Sequence, residues 1–273
     1  MNAPHPDAVR LRWPHEGLTR VPYRVFTDAD VYAREQERIF RGPTWSYLAL
    51  EAELPNAGDF VSTFVGDTPV VVTRDAQGQV HAWVNRCAHR GALVCRELRG
   101  SVGPQGTHTC VYHQWAYDPA GNLVGVPFRK GLGGKGGYPA DFDMADHGLT
   151  RLRVDTVAEM IFGTFDESAP PLREYLGTEM CANIERVLGR PITVLGYARQ
   201  YFRGNWKLYS ENARDSYHGG LLHLFYPTFG VYRQGQKGHV HLAPNELHMI
   251  LQAWKPSADQ SIAHYQQASS RKA

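Results

Sequence analysis

The chain has 273 residues, enough for one large domain or two modest ones with a substantial core. A formal net charge of +2 gives no reason to expect a nucleic-acid partner or an anionic membrane surface. Four cysteines in such a long chain argue against a disulfide scaffold, and no apolar run approaches the roughly 18 residues of a membrane span. The N-terminal stretch MNAPHPDAVRLRWPHEG has no apolar secretion signal, so we expect a cytoplasmic protein with reduced thiols.

The predicted elements begin with a helix and continue as strands. In TDADVYAREQERIF, Thr27 and Asp30 are spaced as a helix N-cap and its partner. Between residues 45 and 85 the pattern changes to four strands, WSYLAL, DFVSTFV, PVVVTR and VHAWVN, with the turn-forming DAQG before the last. WAYDPAGNLVGV then predicts a hairpin whose turn contains Pro119 and Gly121.

The second half of the chain alternates strands and helices. After RKGLGGKGGYP, a glycine-rich surface loop, LTRLRVDTV and MIFGTF predict two strands. Thr178 is placed to cap a helix that carries Met180, Ile184 and Val187 on one face. PITVLGYARQYFR then predicts a long strand that leads into a helix over GNWKLYSENARDSYHGGLLHLF.

These elements predict an α+β protein in three parts. Residues 1–41 form an N-terminal helical segment that packs on the third part. Residues 42–150 form an all-β module, an antiparallel sandwich or barrel. Residues 151–273 form an incomplete α+β domain with an antiparallel sheet and helices.

Two short stretches of the all-β module each place one cysteine close to one histidine. NRCAHRG contains Cys87 and His89 just after a predicted strand, and CVYHQW contains Cys110 and His113 just before the predicted hairpin. Both pairs therefore belong at loop tips of the same module. Two thiolates and two imidazoles are ligands that iron and zinc both accept.

The mixed composition of each pair bears on which metal the loops hold. Structural zinc sites pair like with like, as C-x2-4-C and H-x3-5-H, although a Cys2His2 zinc site remains an alternative here. A [2Fe-2S] cluster with two cysteines on one iron and two histidines on the other favours one thiolate and one imidazole per loop. Gly91 permits a close backbone approach, and Trp115 would be an apolar cover over such a cluster.

CAHRG and CVYHQW together resemble the Rieske cluster signature, in the form used by aromatic-ring-hydroxylating oxygenases. The resemblance implies that Cys87, His89, Cys110 and His113 bind the cluster. Respiratory Rieske proteins carry an additional, disulfide-forming cysteine in each loop, whereas this chain has Ala92 and Tyr112 at those positions. The stretch between His89 and Cys110 is longer than in the family, and the turn-rich GSVGPQG accommodates the excess. The other cysteines, 95 and 181, are expected to be buried small hydrophobic residues.

ENARDSYHGGLLH is the second group of candidate ligands. On a helix, Glu211, Asp215 and His218 share one face, and two glycines allow a π-bulge that brings His223 to the same metal. Taken alone, two histidines five residues apart are more often structural. After GNWKLYSEN, however, D-x-x-H-x4-H resembles the mononuclear iron site of the same oxygenases, with His218 and His223 as Fe(II) ligands and Asp215 as the bridge between the two metal centres.

The resemblance, which covers nearly the whole chain, implies an oxygenase large (α) subunit. In that family, NAD(P)H supplies electrons through a reductase and often a ferredoxin, and the mononuclear iron activates O2 to mono- or dihydroxylate an aromatic substrate. The α subunits form trimers, sometimes with β subunits. GVPFRKG and DSYHGGLLHLFYPTFG resemble the salicylate and anthranilate hydroxylase branch, whose substrates are aromatic acids. Trp206 and Tyr217 are expected to be packing residues.

The third iron ligand of the family, an Asp or Glu, has no match in this chain. Glu246 lies in NELHMILQAW, a predicted strand, and Asp259 lies in a polar tail. The last residues lack apolar periodicity, which leads to the hypothesis of a C-terminally shortened α subunit. Two alternatives remain at this point: an electron carrier that uses only the β-module, and a zinc-stabilised interaction protein.

Overall fold

The computed structural model describes residues 13, 19–223, 225–229 and 238–254. Asp259 and its polar tail lie outside the described residues. The chain forms two compact units: Ala29–Ala198, and the described parts of Met1–Asp28 and Arg199–Ala273. None of the helices in the described ranges is long and apolar enough to cross a membrane.

The predicted N-terminal helix is present, but its cap is not where the sequence placed it. Helix α1 is a single turn, Arg24–Thr27, and α2 is Ala29–Glu35, which continues as a π-helical turn, Gln36–Phe40. Thr27 ends α1, and its hydroxyl donates a hydrogen bond to the carbonyl of Tyr23 at 3.3 Å. The predicted N-cap role of Thr27 is therefore wrong, because the hydroxyl is already engaged with the preceding turn.

The first unit is built on a seven-stranded antiparallel sheet and a small three-stranded sheet. The strands β1 to β10, in chain order, are Ser46–Leu50, Asp59–Val65, Thr68–Arg74, Val80–Val84, Arg99–Ser101, His108–Thr109, Ala116–Tyr117, Leu123–Gly125, Arg151–Val157 and Met160–Thr164. The large sheet has the order β1-β10-β9-β4-β3-β2-β5, and the small sheet has the order β6-β7-β8. All six strands predicted between residues 45 and 164 are confirmed, and so is the hairpin β7–β8.

The interior strand β3 is buried on both faces of the large sheet. Val71 points into a core that it shares with Trp83 and the candidate cluster loops. Val70 and Val72 point the other way, into a second core that contains Leu54. This alternation follows from the two-residue period of a strand, so the large sheet separates the cluster loops from the second core. The antiparallel sheets with their few helices confirm the predicted α+β class.

Strands β9 and β10 bear on the predicted division at residues 150 and 151. Both strands follow residue 150, yet they pair within the same sheet as β1 and β4. The predicted domain limits, 1–41, 42–150 and 151–273, stay a prediction.

Helices α3, Leu172–Leu176, and α4, Thr178–Leu188, complete the first unit. The N-cap of α4 is Gly177, at φ +78°, and Thr178 is already the first helical residue, so the cap predicted for Thr178 is wrong. Met180 and Ile184 pack against a third core beside Trp45, as predicted for one apolar face. Val187 is exposed instead.

The long strand predicted over PITVLGYARQYFR is absent: residues 191–202 have no regular secondary structure. Leu195 in this stretch is fully exposed, and the ring of Tyr197 lies under the guanidinium of Arg99, 3.0 Å from ring centroid to Cζ. A strand-like sequence forms a strand only where another strand pairs with its backbone, and the described residues offer none here.

The second unit contains short helices and one hairpin. Helix α5 is Trp206–Arg214, with Asn205 as N-cap, and α6 and α7 are Gly219–Leu222 and Phe225–Thr228. Strands β11, Gly238–Leu242, and β12, Met249–Ala253, form an antiparallel pair. The single predicted helix over 204–225 is thus wrong beyond Arg214. Glu246, predicted on a strand, has φ +57° and precedes β12.

Candidate metal centres

The first candidate loop is closed by its own backbone. The amide of Cys87 donates to the carbonyl of Ala92, and the amide of Gly91 donates to the carbonyl of Cys87, both at 2.8 Å. Gly91 has φ +71°, a left-handed conformation that glycine adopts without steric cost. His89 lies between the two closing hydrogen bonds, so its position is set by the main chain.

The second loop repeats the same closure. The amide of Cys110 donates to the carbonyl of Trp115, and the amide of Gln114 donates to the carbonyl of Cys110, both at 2.9 Å. Gln114 takes the left-handed conformation here, with φ +57°. His113 directly precedes it. In both loops, therefore, the residue four positions after the cysteine is left-handed and turns the chain back.

The two loop thiols lie together in the core. Cys87 and Cys110 are buried, and neither forms a disulfide. Burial raises the pKa of the Cys110 thiol, and the neighbouring Cys87 raises it further. The Tyr117 hydroxyl lies 3.2 Å from the Cys87 sulfur and accepts a hydrogen bond from the amide of Ala88 at 3.1 Å. Its own proton is therefore available to the sulfur.

The two loop imidazoles lie together at the outer side. The rings of His89 and His113 are 4.5 Å apart between centroids and nearly perpendicular. His89 stacks on the buried Trp115, at 4.9 Å and 12°, as expected for an apolar cover. His113 and its neighbour Tyr112 are exposed.

His89 Nδ1 is buried and has no hydrogen-bond partner in the part of the chain that the structure describes. Desolvation lowers the pKa of His89, and the charges of His113 and Arg90 lower it further, so the neutral ring is favoured. Two neighbouring imidazoles, one with a buried unpaired nitrogen, and two buried thiols on the same two loops make a donor set that fits a cluster with two sulfur and two nitrogen ligands. The residues present therefore fit a [2Fe-2S] cluster.

The predicted residues of the second centre lie beyond the end of α5. Asp215 is the C-cap of α5 and extended, at φ −81° and ψ 105°, because its Oδ1 accepts the amide of Tyr217 at 2.7 Å. This side-chain hydrogen bond competes with helix continuation. Glu211 alone is helical, so the shared helix face predicted for Glu211, Asp215 and His218 is wrong. The predicted π-bulge is absent too, since His218 and His223 are the N-cap and C-cap of α6.

The turn nevertheless brings the candidate ligands close to one another. The rings of His218 and His223 are 5.1 Å apart between centroids. His218 Nδ1 lies 3.1 Å from Oδ2 of Asp215, a close contact but not an aligned hydrogen bond. The backbone hydrogen bond from Tyr217 lowers the pKa of Asp215, and contacts with His218 lower it further against the effect of desolvation.

Asn212 adds a contact that the sequence did not reveal. Its side-chain nitrogen lies 3.1 Å from Nε2 of His218. An amide nitrogen only donates, so this contact requires Nε2 as the acceptor, with the ring proton on Nδ1 towards Asp215. A metal bound at Nε2 would replace the Asn212 contact at that nitrogen. Within the described residues, no three His, Cys, Asp or Glu side chains gather around one ion position.

Comparisons with known proteins show which family the chain resembles. The family described as "Rieske [2Fe-2S] domain" matches residues 44–135. The chain is 55% identical over 262 residues to the anthranilate 1,2-dioxygenase large subunit of Burkholderia cepacia, covering 96% of this chain and 61% of that protein. It is 48% identical over 230 residues to the α 2 subunit of the terephthalate 1,2-dioxygenase terminal oxygenase component of Comamonas sp, covering 84% of this chain and 55% of the relative.

Two further comparisons extend the same similarity. The large oxygenase component of salicylate 5-hydroxylase from Ralstonia sp is 44% identical over 234 residues, covering 84% of this chain and 55% of that protein. The crystal structure of naphthalene 1,2-dioxygenase from Rhodococcus sp. bound to indole superposes with a TM-score of 0.73 at 30% identity, covering 87% of this chain and 54% of that one. The chain thus spans little more than half the length of the proteins it matches.

Proposed function

Because the chain belongs to the large-subunit family of Rieske-type ring-hydroxylating oxygenases, we propose that it serves in aromatic-ring hydroxylation. In this proposal Cys87, His89, Cys110 and His113 hold a [2Fe-2S] cluster. When bound, the cluster supplies electrons one at a time at a potential raised by its histidine ligands. The observation that carries the assignment is the buried His89 Nδ1, which has no hydrogen-bond partner among the described residues and lies on the same loop as the buried thiol of Cys87.

His218 and His223 are proposed to hold a mononuclear Fe(II). Two histidines and one carboxylate leave open positions on such an iron for O2 and substrate. His218 would bind the iron through Nε2, where the metal would replace the Asn212 amide. Asp215, whose Oδ2 lies 3.1 Å from Nδ1, would accept the Nδ1 proton once the two groups are aligned and so fix the His218 tautomer. No residue is assigned as the carboxylate ligand.

The proposed substrate is an aromatic carboxylate. The three relatives compared above are named for anthranilate, terephthalate and salicylate, which all carry a carboxylate on an aromatic ring. The proposed reaction is mono- or dihydroxylation of that ring with O2. We place this chemistry in the breakdown of aromatic compounds by a cytoplasmic oxygenase of several components, with the α subunits as a trimer and with or without β subunits.

The proposed electron donor is an acidic ferredoxin or reductase that receives its electrons from NAD(P)H. The segment 86–135, which contains both cluster loops, has seven basic residues against two acidic ones, and all seven are exposed. They are Arg86, Arg90, Arg96, Arg99, Arg129, Lys130 and Lys135. A concentration of positive charge around an electron-entry site speeds the encounter with an acidic partner and makes its rate fall with ionic strength.

Electron paramagnetic resonance of the dithionite-reduced protein, with iron and acid-labile sulfide analysis, tests the assignment. A Rieske-type signal with two irons in the cluster and a third that is lost in the His218→Ala/His223→Ala variant supports it. A signal with unchanged iron content in that variant would identify an electron carrier instead. A colourless protein with zinc and no labile sulfide would contradict the proposal altogether.

A further inference from the structure

Cys95 and His108 form a buried polar pair that the metal centres do not use. The Cys95 sulfur lies 3.1 Å from Nδ1 of His108. The two residues are 6% and 2% exposed, inside the core that also contains the Cys87 and Cys110 thiols. Cys95 follows the first cluster loop, and His108 precedes the second. The pair therefore joins the end of one loop to the beginning of the other.

Both members of the pair are buried away from water, which favours the uncharged thiol and the uncharged imidazole. The contact is a hydrogen bond with either sulfur or Nδ1 as the donor. In both cases it holds the two side chains at a fixed distance without an ion pair.

The surroundings fix each member of the pair separately. The Asn85 side chain donates to the carbonyl of Cys95 at 2.7 Å and accepts its amide at 2.9 Å. The His108 ring is wedged edge-on against Phe60 and Trp83, at 5.3 and 5.2 Å between centroids. With both partners held by neighbours, the bond between them transmits the position of one loop to the other.

His108 is also linked to the cluster thiols through the small sheet. It pairs in register with Tyr117, whose hydroxyl contacts the sulfur of Cys87. Cys110 follows His108 by two residues in the chain. The Cys95–His108 pair is therefore close to both proposed sulfur ligands: to Cys110 along the chain, and to Cys87 through Tyr117.

The chain between the two partners, residues 96–107, contains the exposed strand β5, which pairs with β2 at the edge of the large sheet. Cys95 and His108 join the two ends of this segment directly. The contact therefore adds a link between the two loops that does not run through the edge strand.

His108 Nε2 is buried and has no hydrogen-bond partner among the described residues. An unpaired buried polar atom costs stability, and a phenylalanine in the same place would avoid that cost. If residue 108 only filled space in this core, phenylalanine would give a more stable protein than histidine. The hydrogen bond at Nδ1 is what histidine adds.

We propose that Cys95 and His108 are positioning residues whose hydrogen bond fixes the separation of the two cluster-binding loops. This inference rests on the proposed function of those loops. The pair acts through the main chain at Cys87 and Cys110 and is not itself a ligand. It is a non-covalent cross-link between the two loops.

The test uses His108→Phe, Cys95→Ala, Cys95→Ser and the double variant His108→Phe/Cys95→Ala in the intact chain. We measure iron release to a ferrous chelator, the width of the reduced-state resonance and the thermal unfolding temperature. His108→Phe should release iron about tenfold faster, as for other outer contacts of metal ligands, with a broadened resonance and no loss of thermal stability. Cys95→Ser, which keeps a hydroxyl donor, should release iron more slowly than Cys95→Ala.

The double variant and a core control make the outcome decisive. The effects of the two single changes should not add, because each breaks the same bond. Ile161→Val, a fully buried change in the second core, should lower thermal stability without changing the resonance. If His108→Phe does not fold, the comparison of Cys95→Ser with Cys95→Ala decides instead.

Iron release and resonance in His108→Phe that match the wild type, or fully additive effects, would overturn the proposal. Equal behaviour of the serine and alanine variants would do the same. The wild-type protein separates this failure from that of the proposed function. A wild type without labile sulfide refutes the cluster itself, whereas a normal wild-type cluster with unaffected variants refutes only the cross-link.

Discussion

The hydroxyl of Tyr117 lies 3.2 Å from the sulfur of Cys87, although 30 residues separate them in the chain. The amide of Ala88 donates to the same hydroxyl, and a deprotonated, metal-bound sulfur could only accept from it, so the tyrosine would be the donor once a cluster is bound. A hydrogen bond to a ligand sulfur stabilises the more negative, reduced state of a cluster.

Replacing Tyr117 with Phe should therefore lower the reduction potential of the protein. A hydrogen bond to a charged group contributes about 1.5 kcal/mol, which corresponds to a decrease of about 60 mV for a one-electron couple. Protein-film voltammetry measures the shift. Tyr138→Phe, another tyrosine packed against the same core, is the matched control and should leave the potential unchanged. Equal potentials for Tyr117→Phe and the wild type would refute the hydrogen bond.

Replacing Asp215 with Asn tests its proposed role between the two centres. The asparagine oxygen can still accept the Tyr217 amide, so the turn is kept while the negative charge beside His218 is lost. We expect both metals to stay bound and single-turnover reduction of the mononuclear site to slow by about 10- to 100-fold. Glu211→Gln, an exposed change on α5, should have no effect. Wild-type rates in Asp215→Asn would remove Asp215 from the proposal.

Asp75 makes the stability of the β3–β4 turn depend on pH. Burial opposes ionisation of this carboxyl, but hydrogen bonds from the His81 ring, at 2.7 Å, and from the amides of Gln79 and Gln77 outweigh it and lower the pKa below 3.8. A carboxyl with a lowered folded-state pKa stabilises the fold above its unfolded pKa. That stabilisation is lost as the pH falls through the folded-state value.

Asp75→Asn should accordingly destabilise the protein by about 1 kcal/mol at pH 7, the net contribution of one such hydrogen-bonded charge. The difference from the wild type should shrink as the pH falls below 3.8, the ordinary value for this carboxyl. Urea denaturation across the pH range measures it. In a protein that already carries His81→Gln, Asp75→Asn should destabilise the fold by less, because the Asp75–His81 hydrogen bond is already missing. A difference that stays constant down to pH 2 would exclude the carboxylate as its source.

The left-handed residues of the two loops give a paired prediction. Gln114→Gly should raise the free energy of unfolding by about 1 kcal/mol, because φ +57° costs a residue with a Cβ about that much. Gly91→Ala should lower it by a similar amount through the backbone alone, since an added Cβ would meet no atom within 4 Å. Chemical denaturation measures both. If both substitutions changed the free energy of unfolding in the same direction, side-chain contacts rather than backbone conformation would determine the effect.

The strands were predictable because burial on one or both faces imposes a pattern on consecutive residues. The assignment of the Cys/His pairs as cluster ligands stays a prediction; what spacing made predictable is that each pair lies on one short loop. The end of the helix predicted over 204–225 could not be predicted, because the carboxylate of Asp215 accepts hydrogen bonds from two nearby amides and ends α5. Helical spacing carries no information about that competition.

Contacts between residues that are distant in the chain could not be predicted from the sequence either. Cys95 was correctly expected to be buried, but its partner His108 is identified only when β6 is placed beside the first loop. Tyr117 and Asn212 act through neighbours that no spacing rule relates to them. Val187 matches the apolar face of α4 in sequence, yet its side chain is exposed. In each case the decisive contact is tertiary.

The hexapeptides 87–92 and 110–115 share one main-chain template, although their histidines stand at the third and fourth positions within it. Neither closing contact uses a side chain, so the intervening residues can be exchanged without opening the ring. A protein engineer could transplant the two segments onto facing β-hairpins of another scaffold and expect each to refold as a preformed half-cradle. Moving the histidine by one position in the sequence would then change the direction of its imidazole while the main-chain turn is kept.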